Sequence, residues 1–324
     1  MKEGQAMVLD RRLNEIAFQV GVEARHLHGV SGGMQNLIYE NTREGTVLRL
    51  STRKRRIKEE LIAEQVWLES LNAHGVRVNI PKCFEDGGMV KEISVDQEDF
   101  LVTQFEKIPG EVLDPSLPSH WNPEVFEEWG RQTGKLHQFG KTVRLDKFHQ
   151  KVLKRKGLDR LYRALNERDQ WIAEGYKKLI SGIEKLPKDD TCYGLVHRDL
   201  HHGNIMVLDG GLHIIDTDDF GYSWFAEDIA TALYHVNWHG KSVHPEWEGL
   251  HMDFLAAFAK GYAGEVPLTD VVMEGIPIFL RKREFFLYNL FHEIWDLQNL
   301  EDWQSYTLKQ LEDNLKNEKN PIQL

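Results

Sequence analysis

The spacing of apolar positions changes period several times along the chain. Near the start it is extended: His26–Val30, Leu37–Glu40 and Thr46–Leu50 read as strands, joined by the turns Ser31–Asn36 and Asn41–Gly45. From Arg55 to Asn72 the period becomes helical, with Ile57, Leu61, Trp67, Leu68 and Leu71 in phase and Gly75 as a stop. Ile80-Pro81 opens a loop with short strands around Asp86-Gly87-Gly88. Phe100–Phe105 is a further apolar strand, and Pro109-Gly110 ends the region. Residues up to about 106 therefore predict a small, mostly antiparallel sheet with one helix.

Beyond that point helical spacing dominates. Glu124–Phe139, Leu158–Leu179, Phe225–Val236, Trp247–Tyr262 and Arg281–Leu297 all carry it. One island, Tyr193–Phe220, reads as strand and turn instead. The expected division is 1–106, a sheet domain, and 107–324, a larger helical domain.

Composition agrees with a folded chain. At 324 residues, 41% hydrophobic and 28% charged, it is neither disordered, collagen-like nor low in complexity. Single cores stop growing at about 250–300 residues, which again suggests two domains. The 40 basic and 51 acidic residues leave a net charge of −11, which argues against bulk electrostatic binding of nucleic acid but not against nucleotides. Residues 1–106 net −3 and 107–324 net −8, so the larger region is the acidic one. The basic run Arg53-Lys54-Arg55-Arg56 reads as a solvated helix start beside Glu59-Glu60. No apolar run nears the roughly 18 residues that cross a bilayer, so no membrane partner is expected. The polar first residues carry both charge signs and are unlike a signal peptide. Cys83 and Cys192 are the two cysteines; they form neither a disulfide framework nor a zinc signature and suit a cytoplasmic location.

The densest chemistry lies in the island. It contains His197-Arg198-Asp199-Leu200-His201-His202-Gly203-Asn204, and Asp216 follows Asn204 by twelve residues. This matches the phosphotransfer pattern H-R-D-x-x-x-x-N, followed by a strand pair that ends in a metal-binding acid. Phosphoryl transfer needs donor phosphate, acceptor hydroxyl and Mg²⁺ held in line, with a carboxylate to orient the hydroxyl and take its proton. Asp199 is the candidate carboxylate. Asn204 and Asp216 offer the hard oxygens that Mg²⁺ prefers. A hairpin, Ile205–Leu208 and Leu212–Ile215 turning at Asp209-Gly210-Gly211, would return Asp216 to Asn204. ATP phosphates need backbone N–H groups from a turn between strands, and Ser31-Gly32-Gly33 sits at one.

Val196–Asn204, Ile215-Asp216-Thr217-Asp218-Asp219 and Trp224–Ala230 together resemble the aminoglycoside phosphotransferase/choline kinase superfamily. The resemblance implies an α+β, protein-kinase-like bilobal fold: a small antiparallel-sheet N-lobe with one helix, and a larger, mainly helical C-lobe. It implies ATP and Mg²⁺ as cofactors. It places Arg49 in the strand position where the family usually has Lys, paired with an acid on the next helix, Glu64 or, one turn earlier, Glu60. It places a hinge near Gln104 and Glu106, whose backbone would meet adenine, and gives Asp228 the task of tying down the catalytic loop. It also places the acceptor between the catalytic loop and helices of the larger lobe, with Asp218, Asp219, Tyr222, Glu284, Tyr288, His292, Glu293, Trp295 and Asp296 as lining candidates.

Aromatic faces with carboxylates suit an amine-bearing acceptor of homoserine, choline or aminoglycoside type. His197, His201 and His202 cluster, yet no Cys or His at zinc spacing completes a set, and His197 reads as a packing residue of the loop. The expected function is transfer of the γ-phosphate of ATP to a small-molecule hydroxyl. A protein Ser/Thr kinase and a non-catalytic pseudokinase are the other readings. Only eight residues separate Asp216 from Phe225, too few for a peptide-docking segment, and the intact Asp199, Asn204 and Asp216 speak for catalysis. No heptad repeat stands out to assign an oligomeric state.

Overall fold

A computed structural model describes residues 3–30, 36–143 and 158–324. The chain divides into two compact units, Met1–Pro109 and Gly110–Leu324, a boundary three residues beyond the one expected from sequence.

The first unit is built on a five-stranded antiparallel sheet in the order β1-β2-β3-β5-β4. Its strands are β1 (Leu27–Val30), β2 (Leu37–Asn41), β3 (Thr46–Thr52), β4 (Lys91–Val95) and β5 (Glu98–Glu106). Strand alternation sorts the residues of β3 and β5 to two faces. Leu48, Leu50, Phe100 and Val102 point one way, into a core with Ile16, Ala17 and Val20. Leu101 points the other way, against Leu61 and Val90. The helix supplying Ile16–Val20 is α1 (Glu3–Val20), and the one supplying Leu61 is α2 (Lys58–Ala73). Among the described residues the unit thus has two α-helices where one was expected. The missed α1 is only half apolar, and its apolar stripe, Leu13, Ile16, Ala17 and Val20, spans only two turns.

The second unit is mainly helical: α3 (Pro123–Gly140), α4 (Leu158–Arg168), α5 (Gln170–Ile183), α6 (Phe225–His235), α7 (Leu250–Ala263), α8 (Asp270–Ile294) and α9 (Asp302–Lys316). Asn122 starts α3 by accepting from the Val125 N–H at 3.0 Å, ahead of Pro123 at the first helical position. The α3–α7 crossing is close enough to require glycine. A Cβ on Gly130 would fall 1.9 Å from the Phe258 oxygen, and one on Gly261 would fall 1.8 Å from the Glu127 oxygen.

Among the described residues the unit also holds two small antiparallel sheets. β7 (Tyr193–Val196) pairs with β10 (Gly221–Trp224), and β6 (Glu111–Val112) joins the hairpin β8 (Ile205–Leu208) and β9 (Gly211–Ile214). The hairpin turns on Asp209 and Gly210, both at positive φ (50° and 74°), as a two-residue loop requires. Two expected helices differ. Leu158–Leu179 is broken at Asp169 into α4 and α5. Arg281–Leu297 is the latter part of α8, which begins at Asp270 and runs through Pro277.

Candidate active site

The catalytic-loop pattern lies between β7 and β8, and it is held from below by α6. Asp228, fully buried in the first turns of α6, accepts from the backbone N–H of His197 (2.9 Å) and of Arg198 (2.6 Å). Its Oδ2 also meets His137 Nε2 at 3.1 Å. Burial alone would raise the Asp228 carboxyl, but the hydrogen bonds from His137 and His197 outweigh it and hold it below its ordinary range. Arg198 adopts φ +72°, a strained conformation for a side-chain-bearing residue, which two charge-assisted bonds to Asp228 stabilise.

The same loop sets Asp199. Its N–H donates to His197 Nδ1 at 3.2 Å, so the His197 proton lies on Nε2 and reaches the Ile215 oxygen at 3.0 Å. Asn204 donates its side-chain amide to the Asp199 carbonyl (2.9 Å) and lies 3.4 Å from Oδ2. With the amide nitrogen turned to Asp199, the amide oxygen is the group that can meet a cation. The Asn204 carbonyl accepts from the Ile215 N–H at 2.9 Å, which brings the end of β9 and hence Asp216 beside Asn204. Asp216 is exposed and left-handed at φ 55°. The amide oxygen of Asn204 and the carboxylate of Asp216 are a chemically fitting donor set for Mg²⁺.

Within the first unit, alternation puts Arg49 on the α2 face of β3, opposite to Leu48 and Leu50. There it meets Glu64 through two parallel bonds, Nη1–Oε1 at 2.9 Å and Nη2–Oε2 at 2.6 Å, both side chains buried. Glu60, the alternative partner, pairs with Arg56 at 3.1 Å instead. Arg56 is itself buried, 3.7 Å from Glu64, so this member of the basic run is not a solvated helix start. Ser31, Gly32 and Gly33 lie outside the described residues. At the expected hinge, backbone groups of Gln104 and Glu106 bond to a neighbouring segment. The Glu106 N–H donates to the Ile80 oxygen (2.8 Å) and the Gln104 oxygen accepts from Lys82 (2.9 Å), because Ile80–Lys82 runs alongside β5. The Gln104 side chain is also engaged, donating to Thr46 at 3.1 Å.

The acceptor-lining candidates separate. Asp218 and Asp219 follow Asp216 directly, Asp218 buried and Asp219 half-buried. Tyr222, on β10, stacks with Tyr193 at 6.4 Å. Glu284 is a correction: it faces α9, is 1% exposed and accepts from Asn314 at 2.8 Å. Burial pushes its carboxyl up to about 8, so it is a neutral acid at pH 7 and not a carboxylate for an amine. Tyr288 packs on Trp171 and on His292, toward α5, and Asn289 donates to Glu293. Trp295 stacks on Phe291 at 4.1 Å and meets Trp303, while Asp296 caps the loop to α9 through Gln298 and Asn299.

The residue of α8 that does reach the catalytic loop is the neighbour of Glu284. Arg283 Nη1 lies 2.7 Å from Asp199 Oδ1. Burial favours a neutral Asp199, but the Arg283 charge and His201 outweigh it and hold the carboxyl far below its ordinary range. Sequence reading missed Arg283 and also His235, its partner on α6. His201, His202 and His235 bring ring nitrogens within 4.8 Å of one another, so the fold supplies the third imidazole that the spacing lacked. Burial, aided by neighbouring imidazoles, lowers His202 to about 3 and His239 to about 4, so both are neutral at pH 7. Yet the Nε2 lone pair of His235 accepts from Arg283, whose charge adjoins the cluster. That arrangement argues against a cation at the cluster.

Comparison with known proteins accords with this geometry. Residues 26–269 match the model of the phosphotransferase enzyme family. Amicoumacin kinase of Bacillus subtilis is 31% identical over 274 residues, covering 82% of this chain and 80% of that one. The structure of amicoumacin kinase hAmiN in complex with AMP-PNP, Ca²⁺ and Ami aligns with a TM-score of 0.85 at 26% identity, covering 100% of this chain and 98% of that one. A microcompartment-associated aminopropanol kinase aligns over 96% and 95% of the two chains, with a TM-score of 0.69 at 16% identity. The fold is the α+β, protein-kinase-like one, and the chain is a phosphotransferase, a member of the phosphotransferase enzyme family.

Proposed function

We propose that this phosphotransferase moves the γ-phosphoryl group of ATP, with Mg²⁺, to a hydroxyl of an amine-bearing small molecule of the amicoumacin kind. The carrying observation is the linkage of the three chemical groups through one residue: Asn204 holds Asp199 through its side-chain amide and the Asp216 segment through its carbonyl. Support for the acceptor class comes from the relatives, an amicoumacin kinase at 31% identity and an aminopropanol kinase of the same fold.

In this reading Asp199 accepts a hydrogen bond from the acceptor hydroxyl and turns its oxygen toward the γ-phosphorus. As the new O–P bond forms, the hydroxyl proton passes to the Asp199 carboxylate. The bond from the γ-phosphorus to the bridging oxygen breaks, and ADP leaves with that electron pair. Asn204 and Asp216 would hold Mg²⁺, which when bound would neutralise charge on the phosphates. Arg49, braced by Glu64, is the cation for the non-transferred phosphates. Between Asp216 and α6 the chain forms a single turn at Thr217–Asp219 and the strand β10, which leaves no segment for docking a peptide.

The test is ADP release from MgATP with amicoumacin, 1-amino-2-propanol, ethanolamine, choline, homoserine and an aminoglycoside, with Asp199→Asn as control. Turnover with an amine-bearing acceptor, lost in Asp199→Asn by a factor of at least about 10³, is the expected result. Turnover unchanged in Asp199→Asn would overturn the assignment.

A further inference from the structure

Arg283 lies outside every motif that points to phosphotransfer, yet its side chain makes the shortest charged contact to the carboxylate of Asp199. It comes from α8, is 7% exposed, and is gripped on three sides. Nη1 lies 2.7 Å from Asp199 Oδ1. Nε and Nη2 both donate to His235 Nε2, at 3.0 and 2.8 Å. The guanidinium plane lies 4.8 Å from the Phe286 ring.

These contacts constrain one another. His235 can accept two donors on Nε2 only if that nitrogen carries the lone pair, so its proton must lie on Nδ1. Burial and the Arg283 charge hold this imidazole well below its ordinary range, which keeps it neutral and able to accept. His235 is fixed in turn, stacked on His201 at 4.7 Å, and His201 accepts from the Gly203 N–H of the catalytic loop. The bridge therefore runs from α6 through Arg283 to Oδ1 of Asp199. Oδ2 faces the Asn204 amide at 3.4 Å. With each oxygen assigned, the carboxylate has one orientation toward an incoming hydroxyl.

We propose that Arg283 is a positioning residue for phosphotransfer: anchored on His235, it fixes the orientation in which Asp199 meets the acceptor hydroxyl. This rests on the reading of Asp199 as the group that meets the hydroxyl. Lys cannot replace it, because an ammonium reaching Asp199 has no second and third donor in the same plane for His235. Misplacement of a catalytic group by about 1 Å costs on the order of 10²-fold in rate.

Arg283→Gln, Arg283→Lys, Arg283→Ala and Asp199→Asn are compared with the unmodified protein, using amicoumacin and MgATP. Arg283→Gln is expected to lower kcat by about 30- to 100-fold while KM for ATP changes less than about twofold. Arg283→Lys should recover only part of the loss, and added ethylguanidinium should raise kcat of Arg283→Ala at least about fivefold, which a merely structural role would not give. Separately, ¹⁵N NMR of His235 in the unliganded protein should report a proton on Nδ1, and the pattern should change in Arg283→Gln. A kcat for Arg283→Gln within twofold of the unmodified protein, with Asp199→Asn inactive, would overturn the proposal. So would a His235 proton on Nε2 in the unmodified protein. An active Asp199→Asn, or no turnover of amicoumacin, would instead count against the proposed function; the tautomer of His235 then decides the bridge by itself.

Discussion

Replacing Glu284 by Gln should stabilise the protein, and only above mildly acidic pH. Glu284 is 1% exposed on α8, with Oε1 accepting from Asn314 on α9. Burial raises its carboxyl from 4.5 to about 8; the Asn314 hydrogen bond and Arg281 oppose that rise without cancelling it. Tyr234 on α6 also lies near it, and it is neutral throughout the range because burial holds it well above 10.0. In the unfolded chain the same carboxyl loses its proton near 4.5. Below that value both states are protonated, and the group is neutral to stability. As pH climbs from 4.5 toward 8 the unfolded chain ionises while the native state does not, so the native state loses ground at up to about 1.4 kcal/mol per pH unit. The accumulated loss is about 3 kcal/mol at pH 7 and about 4–5 kcal/mol above pH 8. Gln keeps the acceptor oxygen for Asn314 and removes the ionisation. Urea unfolding of both proteins from pH 5 to pH 8 isolates the effect, since every other titration cancels in the difference. The midpoint of Glu284→Gln should move above that of the unmodified protein as pH rises, and the gap should shrink to less than about 1 kcal/mol at pH 5. Parallel curves across the range would refute the reasoning. Turnover should be retained in the variant, because the side chain faces Asn314 and not Asp199.

Three further outcomes follow from buried contacts. Asp228→Ala removes the acceptor for two backbone N–H groups and for His137; it should lower stability by about 2–4 kcal/mol in urea unfolding and abolish turnover, as the loop at Arg198 loses its support. Arg49→Ala leaves Glu64 buried without its two-pronged partner and should cost about 3–5 kcal/mol, whereas Arg49→Lys keeps the charge, loses the fork and should cost less than half as much. Gly261→Ala forces α3 and α7 apart, since its Cβ would sit 1.8 Å from the Glu127 oxygen; a loss of about 1–3 kcal/mol is expected, read by thermal unfolding.

Local pattern carried the features that depend on spacing along the chain. The hairpin β8–β9 was legible because its turn needs positive φ at two positions, and Asp209-Gly210 offers it. The meeting of Arg49 and Glu64 follows from two periods: alternation puts Arg49 opposite to Leu48 and Leu50, and helical spacing puts Glu64 one turn from Leu61 and Leu68, on the buried side. What spacing cannot encode is which face of a helix meets which partner. Arg283 and Glu284 are adjacent and about 100° apart around α8. Both lie in a stretch rich in aromatics and charges, and nothing local says that the first points to Asp199 and the second to Asn314. That choice is made by α6, whose packing against α8 brings His235 under Arg283 across 48 residues of sequence. The start of α8 was hidden for a different reason. Pro277 normally breaks a helix, but here the chain runs through it within a long apolar stretch, where Gly275, Ile276, Phe279 and Leu280 are buried. The family resemblance places the acids of this helix along the acceptor. In the folded protein it is the guanidinium of Arg283 that meets the carboxylate of Asp199, and the charge it presents there is positive.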